Sequence, residues 1–448
     1  MNQKITIENS QNPPTIKDSA LSIFSSITQE QKDLKSDENG RINILLLGIA
    51  GKGKPGGNLT DTIMLMSVDT QTNKIALLSL PRDLYTEIPD AHHKTKINSI
   101  YQYGINHDQG IDPLLKTIES ITDLPVHYFL VLNFDGFTEI INDIDGITIT
   151  NERDIYDPRY PGPNYSYELF ELEKGVHKLD GATALKYARQ RHGDPEGDFG
   201  RAKRQQQVIQ ATKNKMFSAK TFLNIFTINK LLNTLGDNIK TNIQVEELEN
   251  FLSLAKRADT QNITNAVVDA WKKDSLLRVS HVYYNDTRAF ILIPRIGNYS
   301  EIQELSKNIF DLTKINQRKE NIKKEAARIA IINQSDDKEI SNRIKKLLNG
   351  FGIADVSILK SDNHASIIEQ TKVTSTNKKQ KLFSLDEIVK KIPATLSNEN
   401  VDLEDSENYD LILYIGNDLK SIYNYEEGSI EEMNNTEYDQ LYIELMNQ

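Results

Sequence analysis

Apolar positions along the chain fall into two rhythms. After a polar stretch over residues 1–40, which carries Asn12-Pro13-Pro14 and the charged run Gln29 to Asp37, three short and nearly unbroken apolar runs follow: Ile42 to Gly48, Thr62 to Val68 and Ile75 to Leu80. Uninterrupted runs of this length, bounded by turn residues, predict strands buried on both faces. Helical spacing then takes over at Ile111 to Ile121, with Pro113 in the first turn, where its missing N–H is harmless. A strand over Val126 to Leu132, a helix over Phe134 to Ile144 and a strand over Gly146 to Thr150 come next. Helices are predicted at Asp180 to Tyr187 and Phe199 to Lys213, flanking a polar loop, and at Thr221 to Leu235 and Val245 to Ala258, before a strand at Ala289 to Pro294.

The pattern restarts beyond a charge-rich stretch at 311–325, which reads as a linker. Strands at Arg328 to Asn333, Val356 to Leu359 and Leu411 to Ile415 enclose helices at Lys338 to Leu348, stopped by Gly350, and at Leu385 to Ile392. The fold class is therefore α/β: an α-β-α sandwich over 41–310 behind a polar stem, then a smaller α/β domain over 326–425 and an acidic tail over 426–448. A chain of 448 residues exceeds what one core usually holds, which favours this division.

Composition changes the picture in two ways. With 38% hydrophobic and 26% charged residues the chain can bury a core. Its net charge of -11 argues against nucleic acid as a partner, because such binding needs a basic surface, so any phosphate chemistry must come from a local basic cluster. There is no cysteine, which removes disulfides and thiolate chemistry. Neither an apolar run of membrane-spanning length nor a leader-like core is present in the sequence as it stands.

Several motifs are decoys. The loop Gly48 to Gly57 contains the spacing of a dinucleotide fingerprint and part of a phosphate-binding loop, but Pro55 stands where a magnesium-holding hydroxyl is needed. The loop is followed by a strand-length run, not by the helix whose amides would meet a phosphate. It reads as a turn between strands. The eight histidines lack metal-ligand spacing, and neither Trp271 nor the tyrosines interleave with basic residues as a stacking platform would.

Three other segments suit phosphate. Asp61 closes the glycine turn, Arg82 and Asp83 follow the third strand, and the longest segment carries Arg189, Arg191, Asp198, Arg201 and Gln205. In an extended segment Arg189 and Arg191 would point the same way. On a helix Asp198, Arg201 and Gln205 would share one face. Arginine fits a diphosphate because its planar fork binds oxygens in pairs and keeps its charge. The plainer alternative, left open by spacing alone, is that these arginines pair with Asp194, Glu196 and Asp198 on a solvated surface.

Taken together, LLLGI, TDTIMLMSVD, SLPRDLY, KINSIYQYG, LNFDGF, LDGATALKYARQR and DFGRAKRQQQVI resemble the LytR-CpsA-Psr family over about 40–310. RIAIINQS resembles the start of the LytR C-terminal domain. The resemblance implies a phosphotransferase at the extracytoplasmic face of the membrane that moves a glycopolymer, such as teichoic acid or capsule, from a polyprenyl-pyrophosphate carrier onto peptidoglycan. It implies that Arg82, Arg189, Arg191 and Arg201 clamp the pyrophosphate with Gln205 alongside, that Asp61 holds Mg2+, and that Lys96 and Asn98 line the head-group region. Asp83 or Asp198 would accept the proton of the attacking hydroxyl, and apolar residues of the sandwich would hold the prenyl chain. The lipid carrier would bring the protein to the membrane surface, and the anchoring helix usual in the family is expected upstream of this start. Two positions depart from the pattern: Ala50 stands where many members have Asp, and Leu59 where they have Arg. Hydrolysis of the lipid pyrophosphate and a non-catalytic lipid-binding role are the alternatives.

Overall fold

A computed structural model describes residues 33–91, 93–162, 166–191, 193–194, 197–218, 236–270, 275–284, 287–359, 366–376, 381–397 and 408–423. Most of the expected stem, the expected helix over 221–235 and the acidic tail lie outside these residues. The first part of the chain forms β1 (Arg41–Ile49), β2 (Thr60–Asp69), β3 (Lys74–Leu80), β4 (Tyr85–Glu87), β5 (Lys94–Lys96), α1 (Ile100–Asn106), α2 (Asp112–Thr122), β6 (Tyr128–Asn133), α3 (Phe134–Asp143) and β7 (Ile147–Asn151). It continues through β8 (Ile155–Pro161), β9 (Tyr167–Leu172), β10 (Gly175–Leu179), α4 (Gly181–Arg189) and α5 (Gly197–Ser218). Next come β11 (Ile239–Thr241), α6 (Leu248–Arg257), β12 (Asp259–Val267), β13 (Leu277–Tyr284), β14 (Thr287–Pro294) and α7 (Ser300–Lys307).

The central sheet has the order β11-β6-β1-β2-β3-β12. Strand β2 runs antiparallel to both neighbours, β6 is parallel to β1, and β12 is parallel to β3. Consequently β1, β3, β6 and β12 all end at one edge, where β2 begins. Strands β1, β2 and β3 are apolar on both sides. Leu45, Leu47, Ile63, Leu65, Leu78 and Leu80 face a core completed by Leu114 and Ile118 of α2 and Ile302 of α7. Their neighbours Ile42, Ile44, Val68 and Ile75 face Leu254 of α6 instead. The α-β-α sandwich explains why these runs lack alternation: helices cover both faces, and each buried Leu or Ile contributes roughly 1.5–3 kcal/mol.

Some expectations need correction. The polar stem ends earlier than residue 40, since Leu34 packs on the α6 side of the sheet and the Lys35 amide donates to the Tyr128 hydroxyl at 2.7 Å. Strands β8 and β9 escaped the pattern because Pro158, Pro161 and charged residues interrupt them. They form a two-stranded hairpin with one wet face, where such residues are tolerated. Its inner face, with Tyr160 and Phe170, joins Ile141, Tyr187 and Val208 in a separate cluster that seats α4 and α5.

The second domain comprises α8 (Thr313–Glu325), β15 (Arg328–Asn333), α9 (Ile340–Gly350), β16 (Asp355–Leu359), β17 (Lys372–Ser375), α10 (Leu382–Lys391), β18 (Thr395–Ser397) and β19 (Leu411–Ile415). Its sheet order is β16-β15-β19-β17-β18. The stretch read as a linker is helix α8. Its Arg318 is partnered rather than solvated, meeting Glu387 at 2.5 Å and Asp386 at 2.6 Å, and Ile322 is buried. Lys391 of α10 reaches Glu304 of α7 at 2.9 Å and also contacts Glu387. Burial opposes its charge, but Glu387, Glu301 and Glu304 more than compensate and raise its pKa, so it stays an ammonium. Replacing it by alanine strands buried carboxylates, and Lys391→Ala is expected to cost about 3–5 kcal/mol, read as an earlier midpoint in urea unfolding. An unchanged midpoint would show that this contact between the domains carries no stability.

Candidate active site

The site is built on the sheet edge where β1, β3, β6 and β12 end. From β1 the chain enters the glycine turn, in which Gly51, Gly53 and Gly56 adopt φ of 100°, 80° and 61°. Its amides are used internally: Gly51 donates to Gly57 O at 2.8 Å, Lys54 to Gly51 O at 3.2 Å and Leu59 to Gly56 O at 2.8 Å. Strand β2 follows directly, so the loop has the form of a turn between strands. Ala50 and Leu59, the two departures from the family pattern, are buried at its base.

From β3 the chain presents Arg82 and Asp83. Arg82 Nη1 lies 2.9 Å from Asp61 Oδ1, at the start of β2, and Nε lies 3.5 Å from Asp83 Oδ2. Asp83 is held from the other side by Lys96 Nζ at 2.6 Å. Burial would push the Asp83 carboxyl up, yet Lys96, Arg82 and Arg191 outweigh it and set it below the ordinary carboxylate range. A buried, doubly paired carboxylate is a poor proton acceptor, which counts against the expected base role for Asp83 and assigns it to charge balance. Lys96 and Asn98 are only 4% and 3% exposed. They sit behind Arg82 rather than on an open head-group surface, with the Asn98 amide donating to Arg82 O at 3.2 Å.

The remaining basic residues come from α4, α5 and their junction. Arg189 is the last residue of α4 rather than part of an extended segment, so it and Arg191 do not share a direction by strand alternation. Its guanidinium lies 4.3 Å from the centroid of Phe134, the residue that opens α3 at the same sheet edge, and Nη1 donates to Tyr160 Oη at 3.3 Å. Burial pushes the Tyr160 phenol up to about 12, which keeps it neutral. Arg191 stands near enough to Asp83 for its charge to lower that carboxyl's pKa.

On α5, Arg201 and Gln205 line a cleft together with Asp61, Arg82, Ser79 and Asp269. The backbone of α5 keeps Asp198 at the predicted helical spacing from them; its side chain lies outside the described residues. The cleft thus unites Arg82, Arg201, Gln205 and Asp61, with Arg191 joined through Asp83 and Arg189 held on aromatic rings. It encloses only about 30 Å³, or about 450 Å³ with its open mouth. Its apolar wall, including Ile63, Leu80, Val267 and Leu292, leaves about the room of one water there, less than the expected prenyl chain would need at this point.

Sequence reasoning missed Asp269, which enters the cleft from the segment after β12 and accepts a hydrogen bond from Ser275. Nothing in its neighbourhood, VVDAWKKDS, marks it. It also gave no role to Arg204, whose only signal was its place three residues after Arg201.

Magnesium fits this donor set only in a reduced form. Asp61 is partly exposed but shares one oxygen with Arg82, and among the described residues no group of three or more His, Cys, Asp or Glu could hold a metal. Mg2+ commonly binds through one or two carboxylates plus substrate phosphates and water, so Asp61 suits an ion that arrives with a diphosphate.

The model described as the LytR_cpsA_psr family matches residues 11–289, more than half of the chain. The chain belongs to the LytR_cpsA_psr family. The match covers every polar residue of the cleft and ends before the second domain. Among its relatives is the polyisoprenyl-teichoic acid--peptidoglycan teichoic acid transferase TagU of Bacillus cereus, 30% identical over 51% of this chain and 74% of the relative. The protein of the same name from Oceanobacillus iheyensis is 34% identical over 48% of this chain and 63% of its own length. The solved Bacillus subtilis TagV is 26% identical with a TM-score of 0.48, covering 61% of this chain and 98% of that one.

The pairing of Asp83 has a pH signature. Its folded-state pKa lies below that of an unfolded Asp, about 3.9, so its stabilisation is complete above that value and is lost as pH falls through the folded pKa. Asp83→Asn is expected to lower stability at pH 7 and to flatten the part of the decline between pH 4 and 2 that Asp83 causes. Parallel stability curves for the two proteins in that window would contradict the pairing.

Proposed function

We propose that this LytR_cpsA_psr family member transfers a glycopolymer from a polyprenyl-pyrophosphate carrier onto a peptidoglycan hydroxyl. The observation that carries the reading is the convergence of Arg82, Arg201, Gln205 and Asp61 on one cleft, with Arg191 beside Asp83. The names of the relatives point to the same substrates.

In the reaction an acceptor oxygen forms a bond to the sugar-linked phosphorus, the bridging P–O bond breaks, and the polyprenyl phosphate departs with the electron pair. The hydroxyl proton must leave as well. Asp83 is committed to Lys96 and Arg82, which leaves Asp198, in the first turn of α5, as the favoured acceptor. Phosphoryl transfer of this kind needs little covalent help. Arginines held in place before the reaction lower the barrier by stabilising charge on the leaving phosphate and by keeping the reacting groups in line. Mg2+ bound with the substrate would supply further neutralisation of the diphosphate, with Asp61 as its protein ligand.

A prenyl anchor places this chemistry at a membrane surface, and a peptidoglycan acceptor places it on the extracytoplasmic side. No helix among the described residues is long and apolar enough to cross a membrane. Ala50 and the narrow cleft favour, as a second reading, a protein that binds the lipid pyrophosphate or hydrolyses it without an acceptor.

Arg201→Ala and Arg191→Ala are each expected to lower turnover of a polyprenyl-diphosphate sugar by about 100-fold or more while far-UV dichroism stays native. Wild-type turnover in both variants would reject the site. Supplying peptidoglycan fragments separates the readings by product: polymer joined to the fragment supports transfer, and free sugar phosphate alone supports hydrolysis.

A further inference from the structure

Arg204 lies three residues beyond Arg201 on α5 and is 7% exposed. One guanidinium engages three points of the segment 187–194. Nε donates to Tyr187 O at 3.1 Å, Nη2 donates to Gln190 O, and Nη1 meets Asp194 Oδ2 at 2.5 Å. The Tyr187 and Gln190 carbonyls lie at the C-terminal end of α4, where a helix leaves carbonyls unpaired and carries partial negative charge. Asp194 supplies the countercharge. Its carboxylate is almost completely buried, and its other oxygen lies 3.3 Å from Arg153 Nη1.

The fit depends on Gly200: a Cβ there would come within 2.0 Å of Asp194 Oδ2. Glycine in the first turn of α5 is what lets the carboxylate lie between that turn and Arg204. A backbone bond from the Asp194 amide to Arg191 O at 3.2 Å closes the segment into a tight turn. Arg189 and Arg191 thus sit on a short arm whose two ends are fixed by a single side chain.

We propose that Arg204, seated on Asp194, is a positioning residue that holds the Arg189–Arg191 arm over the diphosphate cleft. This rests on the reading of the cleft as a diphosphate site. Lysine cannot replace it: an ammonium carries the charge but lacks the planar fork that reaches two carbonyls and a carboxylate at once. Displacing the arm by about 1 Å would misplace Arg191, a shift of the size that can cost 100-fold in rate.

The test is a mutant cycle between Arg204→Lys and Arg191→Ala, read both as turnover and as the dissociation constant for inorganic pyrophosphate. Alone, Arg204→Lys is expected to weaken both about 10-fold or more. In the Arg191→Ala background it should change pyrophosphate affinity less than twofold, because the group it positions is gone. If the two effects multiply, Arg204 acts through general stability and the proposal fails. Should Arg204→Lys not fold, Asp194→Asn enters the same cycle with the same expectations. Partial rescue of Arg204→Ala by millimolar guanidinium, without a change in Tm, would give independent support. A wild-type protein that binds pyrophosphate but turns over no diphosphate lipid removes the transferase reading and leaves the affinity cycle to decide the arm. One that binds no pyrophosphate overturns both.

Discussion

Several guanidinium groups can share a small space only if something offsets their mutual repulsion before the substrate arrives. In this chain three carboxylates do so at different depths. Asp61 is partly exposed at the mouth against Arg82, Asp83 is buried between Lys96 and Arg82 with Arg191 nearby, and Asp194 is buried against Arg204. Arg189 uses aromatic rings instead, lying over Phe134 and bonded to Tyr160. Attraction at short range is strong between the buried partners and screened at the partly exposed Asp61, which is why the positions of Lys96 and Asn98 behind Arg82 matter alongside the arginines. The only one of the three carboxylates that a bound diphosphate could readily displace from its arginine is Asp61.

The topology supplies the frame. Because β2 and β11 run against β1, β3, β6 and β12, four strand ends and two strand starts meet at one edge, which gathers short polar segments there. Helix α5 is fastened across that edge by successive glutamines. Gln206 bonds Ser79 Oγ at 3.1 Å, tying the helix to the sheet, while Gln207 accepts from Tyr187 Oη at 2.6 Å, tying it to α4. Gln205, between helix and cleft, is left to face the substrate side with Arg201. Among the described residues the second domain adds none to the cleft. It is joined to α7 through the buried ionic contact of Lys391 with Glu304, and Ile296 of the first domain packs into its apolar core.

Much of this was legible in the sequence, for identifiable reasons. The apolar runs of β1, β2 and β3 announced doubly covered strands, and the turn between β1 and β2 betrayed itself by what followed it. Arginine chemistry together with family likeness singles out Arg82, Arg201, Gln205 and Asp61, and these four line one cleft. What spacing could not convey was depth. Asp83 looked like a base because sequence cannot show that Lys96, thirteen positions on, folds back onto it. Arg189 and Arg191 looked like neighbours on a strand because nothing local marks Arg189 as the end of a helix. Arg204 carries no signal in the sequence and Asp194 reads only as a possible surface partner, yet both side chains are buried, and Gly200 leaves the carboxylate its space. The charged helix α8 was mistaken for a linker for the same reason: its partners on α10 are far away in sequence.

The claim on which the rest stands is that these guanidinium groups surround a lipid-borne diphosphate. A crystal structure of the protein with a short-chain prenyl diphosphate tests it most directly. Both phosphates should lie within hydrogen-bond distance of Arg82, Arg191 and Arg201, with the prenyl chain opening the apolar wall between Ile63, Val267 and Leu292. Density for the diphosphate on another face of the sheet, with this cleft unchanged, would contradict it.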